Sequence, residues 1–107
     1  MTVNLLATVD LGSNSFRLLI GKINSDGTIV PLDQIKETVR LASGLDAKNN
    51  LTKESQLFAL EVLTRFSERL SNFKKSQVRV VGTSTLRVAN NSAEFITIAN
   101  KALGFPI

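Results

Sequence analysis

Cysteine and histidine are both absent from the 107 residues. The first absence excludes disulfides, thiolate nucleophiles and zinc–sulfur sites. The second removes Ser-His-Asp triads, Cys-His pairs and imidazole metal ligation together. Tyrosine and tryptophan, which could stack on nucleic-acid bases, are missing as well. No apolar run is long enough to cross a membrane, and no charged leader precedes an apolar signal segment, so a soluble cytoplasmic protein is expected. Any catalysis is left to carboxylates, hydroxyls, amides, lysine and arginine. That is the set of groups that handles phosphate and magnesium.

What is present suffices for one domain with a true core, since 43% of the residues are apolar. The net charge of +4 is unevenly placed. Residues 1–50 balance five basic against five acidic side chains, whereas residues 51–107 carry eight basic and four acidic ones. A basic excess invites a polyanion, but these residues are scattered along the chain, and a nucleic-acid partner is not expected.

The most informative stretch is Thr8-Val9-Asp10-Leu11-Gly12-Ser13-Asn14-Ser15-Phe16-Arg17. A short apolar run ends in one carboxylate, breaks into a small polar turn, and resumes as Leu18-Leu19-Ile20. Runs of this length between turn residues read as buried strands, over about 5–10 and 15–23. Asp10 then lies where a strand leaves the core. Gly12 permits close approach of backbone to a ligand. Ser13, Asn14 and Ser15 offer hydroxyl, amide and main-chain N–H donors for phosphate oxygens. The carboxylate suits hydrated magnesium, which takes one or two such ligands plus waters. A plain hairpin turn would use the same residue types, so the stretch by itself leaves both readings open.

Asn24-Ser25-Asp26-Gly27 predicts a second hairpin turn, leading into a third strand over about 28–39 with Pro31 marking an edge or a bulge. Thr52 is placed to cap a helix over about 53–74, whose buried face is Ala59, Val62, Leu63, Phe66, Leu70 and Phe73, with Glu61 and Arg65 paired outside. Val78 to Gly82 predicts a fourth strand. A helix between strands three and four permits a crossover that lays strand four parallel to strand one. Gly82-Thr83-Ser84-Thr85-Leu86-Arg87 follows as a second candidate anion site, although Thr83 or Ser84 would serve equally as an N-cap. Asn91 with Glu94 resembles a capping box for a last helix. Its buried face is Phe95, Ile98, Ala99, Ala102 and Leu103, and it stops at Gly104 and Pro106.

Taken together, three ordered blocks resemble the N-terminal part of the exopolyphosphatase / guanosine pentaphosphate phosphatase (Ppx/GppA) family. They are Ala7 to Ile20, Glu37-Thr38-Val39-Arg40-Leu41 with Gly44-Leu45, and Gly82 to Asn91. The resemblance implies an α/β, ribonuclease H-like fold of the actin, sugar kinase and acetate kinase superfamily. Its sheet is mixed: three antiparallel strands, then helix, parallel strand and helices. Residues 1–107 would form the N-terminal part of the first of two lobes. The implied activity is hydrolysis of terminal phosphate from inorganic polyphosphate, or of the 5′ phosphate of guanosine pentaphosphate, with Mg2+ in the cleft between lobes. Asp10 would belong to the metal region, and Gly12, Ser13, Asn14 and Ser15 to the first phosphate loop. Thr83, Ser84 and Arg87 would add phosphate contacts, with Arg17 and Arg40 as secondary candidates. The glutamate that activates the attacking water is expected after Ile107, which would leave this chain inactive alone, and a homodimer is open to the whole protein. Ala42-Ser43 departs from the family's Gly-acidic pair. Two other readings are a kinase-like ATP-binding relative and a non-catalytic polyphosphate or nucleotide sensor.

Overall fold

A computed structural model describes residues 4–82, 86 and 89–107. Strands β1 (Asn4–Leu11), β2 (Ser15–Ile23) and β3 (Ile29–Thr38) form an antiparallel meander; helix α1 (Lys53–Arg69) follows, then strand β4 (Val78–Gly82) and helix α2 (Ser92–Leu103). The sheet order is β3-β2-β1-β4. β4 runs parallel to β1, with Ala7 opposite Val78 and Leu11 opposite Gly82, as the helical crossover requires. Both helices pack on one face, where Ala7, Val9, Leu11, Phe16 and Leu18 meet Ala59, Val62, Leu63 and Phe66 of α1 and Phe95, Ala99 and Leu103 of α2 in one core. Each large side chain so buried contributes about 1.5–3 kcal/mol relative to exposure.

Period-two alternation puts the polar residues on the other face. Thr8 and Asp10 of β1, Arg17 and Leu19 of β2, Gln34 and Lys36 of β3, and Arg79 and Val81 of β4 are all exposed. Register aligns them in cross-strand rows. Asp10 lies between Arg17 and Val81, with Lys36 beyond Arg17, and Thr8 lies between Leu19 and Arg79.

The turn at Asn24–Thr28 closes by Asn24 N–H to Thr28 O (2.8 Å) and Gly27 N–H to Asn24 O (2.9 Å). Gly27 takes φ 87°, which a side chain would resist. Asp26 accepts from both the hydroxyl and the N–H of Thr28, and that hydroxyl bond does most to hold its carboxyl below the ordinary value. Pro31 satisfies both expectations at once: β3 is an edge strand, and its register with β2 shifts at Ile20/Gly21.

Four local details depart from expectation. α1 ends five residues early, at Arg69, with the Leu70 N–H folding back on the Phe66 and Ser67 carbonyls; Ser71 and Asn72, which favour turns, follow. Arg65 reaches across to Glu37 of β3 (3.2 Å) rather than along its own helix to Glu61, and Arg69 likewise meets Asp33 (2.9 Å). These pairs are half-exposed and fix the helix across β3 more than they stabilise it. Ile98 is 47% exposed, so α2 buries a narrower stripe than its periodicity suggested.

Asn91 is the fourth departure. Its side chain makes no cap bond to α2. It instead pairs with the backbone of Leu51, accepting from the N–H (2.8 Å) and donating to the carbonyl (3.1 Å). Asn90 N–H reaches Asn49 O (2.8 Å) beside it. The end of the third family-like block is therefore tied to the loop after the second. Asn91→Ala is expected to cost about 1–3 kcal/mol, because the Leu51 N–H loses its partner in a half-buried place while the Leu51 carbonyl keeps only the bond from Gln56 Nε2 (2.9 Å). Chemical denaturation reads the loss. A cost below about 0.5 kcal/mol, the usual surface value, would show that the clamp contributes nothing.

Candidate phosphate site

β1 delivers Asp10 to the rim of the sheet. Val9 and Leu11 are fully buried on the helix side, which turns Asp10 between them outward onto the open face. No ion pair holds its carboxylate among the described residues, although Arg17 is its register partner. Gly12 N–H donates to Ser15 O (3.0 Å), drawing the chain into a tight bend. The approach is so close that a Cβ on Gly12 would lie 2.7 Å from Ser15 O. Glycine is needed here for space, not for its backbone angles. That bond also takes the Gly12 N–H into the bend.

The bend is braced from outside. Val39 N–H (2.9 Å) and Arg40 N–H (2.8 Å) both donate to Asn14 O, and Ala42 N–H donates to Ser13 O (3.0 Å). Ser13, Asn14, Arg40, Ala42 and Ser43 line a recess of about 320 Å3 beside it. The first two family-like blocks thus meet at one place. Gly82, which opens the third block, is the register partner of Leu11 and so lies at the same rim as Gly12. Thr83, Ser84 and Arg87 lie outside the described residues. Arg17 stands on the open face below the bend, one strand from Asp10.

Asp10 fits a hydrated Mg2+: it is one exposed hard-oxygen ligand beside hydroxyl groups, the sparse protein contribution that this ion accepts when phosphates and waters complete its shell. Among the described residues there is no cluster of three or more acidic side chains that would hold an ion without substrate. No helix among them is long and apolar enough to cross a membrane.

A carboxylate and a hydroxyl-rich bend thus lie at the carboxyl end of β1, beside the end of the parallel strand β4, the rim where ligands of open α/β sheets bind. The sequence model of the Ppx/GppA phosphatase family matches residues 19–107, and the chain belongs to that family. It is 45% identical over 103 residues to the guanosine-5′-triphosphate,3′-diphosphate pyrophosphatases of Vibrio cholerae and Vibrio campbellii. That alignment covers 96% of this chain and 20% of each relative, so the chain spans about a fifth of their length. An exopolyphosphatase from Cytophaga hutchinsonii superposes with a TM-score of 0.81 at 30% identity, over 95% of this chain and 32% of that one. A Ppx/GppA family member from Aquifex aeolicus gives 0.86 at 24% identity, over 98% and 35%. The fold is that of the actin-like, ribonuclease H-like superfamily, as the three blocks implied.

Proposed function

We propose that residues 1–107 form the N-terminal part of the first lobe of a phosphohydrolase that removes the 5′ phosphate of guanosine pentaphosphate or a terminal phosphate of polyphosphate. The observation that supports this most is the outward carboxylate of Asp10 at the rim where the Gly12–Ser15 bend lies in register with the end of β4, in a chain of this family. Asp10 orients the metal region, and the hydroxyls and N–H groups of Ser13, Asn14 and Ser15 grip the phosphoryl oxygens. Thr83, Ser84 and Arg87 would add phosphate contacts, as the resemblance of their block to the family implies. Bound Mg2+ would offset negative charge as it develops on the transferred phosphoryl group. The attacking water is activated by a glutamate downstream of Ile107. Donors fixed beforehand by backbone bonds, such as those bracing Asn14, need no rearrangement when charge develops.

A division of labour follows. A full-length protein carrying this chain is expected to release phosphate from guanosine pentaphosphate with Mg2+, whereas the pure 107-residue chain releases none above background. Magnesium-dependent release by the short chain, abolished by Asp10→Asn, would contradict the proposal.

A further inference from the structure

Arg40 has a left-handed backbone, at φ 54° and ψ 49°. Among the described residues the other non-glycine with positive φ is Asn49, and asparagine enters that region readily, whereas arginine does so at a cost. The geometry has a purpose: it lets two successive N–H groups, of Val39 and Arg40, converge on Asn14 O. The Ser43 hydroxyl holds it by donating to Arg40 O (2.9 Å). Glycine or asparagine would serve that backbone with less strain. A long cationic side chain here therefore answers to something other than the turn. Strained residues of this kind gather at ligand sites.

The side chain is placed for such a role. Arg40 lines the recess beside Ser13 and Asn14. Its guanidinium forms no ion pair or hydrogen bond with any described residue, unlike Arg65 and Arg69, which are paired to β3. We propose that Arg40 is a specificity-determining residue that holds a second, non-transferred phosphate group in this recess. That inference rests on the bend being the phosphate clamp. The shared ligand chemistry is a phosphate next to the one gripped by residues 13–15, from either an inorganic chain or a nucleoside polyphosphate. Arginine suits it because its planar fork can donate two parallel bonds to phosphate oxygens.

Calorimetric titration of the 107-residue chain with orthophosphate, tripolyphosphate and guanosine pentaphosphate, each with Mg2+, tests this for the parent, Arg40→Gly and Arg40→Lys. Arg40→Gly is expected to keep or raise the melting temperature. It should leave orthophosphate binding unchanged and weaken tripolyphosphate binding about 10- to 100-fold, with lysine restoring part of it. Weakening of both larger ligands supports a site for any phosphate chain; weakening of guanosine pentaphosphate alone supports a nucleotide's further phosphates. Tripolyphosphate and guanosine pentaphosphate affinities in Arg40→Gly that both equal the parent's overturn the proposal and leave the clamp standing. No binding of any ligand by the parent overturns both. A lower melting temperature in Arg40→Gly and in Arg40→Asn overturns the backbone premise, and the proposal with it.

Discussion

Asp10→Asn is expected to lower magnesium-dependent phosphate release by a full-length protein carrying this chain about a hundredfold or more, with no loss of fold. The two expectations come from the same fact. Asp10 is exposed between two fully buried neighbours, so its side chain takes no part in the core and an isosteric amide disturbs no packing. Surface changes of that kind stay within about 0.5 kcal/mol. The amide keeps one oxygen but removes the charge, and a divalent ion loses its anionic anchor at the bend. Steady-state kinetics across magnesium concentrations, with thermal melting beside them, read both halves. A variant that keeps more than about a third of its activity at saturating magnesium would remove Asp10 from the site; on an electrostatic account the loss must be far larger.

Gly12→Ala is expected to affect both fold and activity, and for a different reason. The added methyl would sit 2.7 Å from Ser15 O, and that atom is backbone, so no side-chain rotation relieves the contact. The bend must open, and the Gly12 N–H bond to Ser15 O weakens with it. Overpacking of this kind costs about 1–3 kcal/mol. The donors of Ser13, Asn14 and Ser15 shift with the bend, and misplacement by about 1 Å lowers a rate on the order of a hundredfold. Alanine at Gly27 is a useful contrast: it meets no atom within 4 Å, and its penalty comes from φ 87° alone. A Gly12→Ala protein with the parent's stability and rate would show that the bend tolerates being wider.

Much of this was legible in the residues before any coordinates. The outward direction of Asp10 follows from alternation, since Val9 and Leu11 must share the buried face and leave Asp10 on the other. The parallel pairing of β4 with β1 follows from a helix of sufficient length between β3 and β4. Gly12 could be recognised as needed, although composition alone does not reveal that space, rather than backbone angle, is the constraint.

Other features were invisible for physical reasons. Asn91 has every local mark of an N-cap, yet the backbone of Leu51, forty residues away, offers two bonds instead of one. Arg65 fits a pair with Glu61 by helical spacing; only the packing of α1 across β3 brings Glu37 within reach. The bracing of Asn14 by residues 39 and 40 is backbone to backbone and leaves no trace in side-chain identity. It explains why the first two family-like blocks, far apart in sequence, form one surface.

Under the proposed function, the Gly12–Ser15 bend and Asp10 together hold phosphate with magnesium. Backbone amide spectra of the 107-residue chain, titrated with orthophosphate in the presence of Mg2+, test it most directly. Saturable shifts centred on residues 12–15 and 39–43 are expected, and they disappear in Asp10→Asn. Shifts centred instead on Lys75 and Lys101, which share a recess at the opposite end of β4, or shifts that persist unchanged in Asp10→Asn, would contradict it.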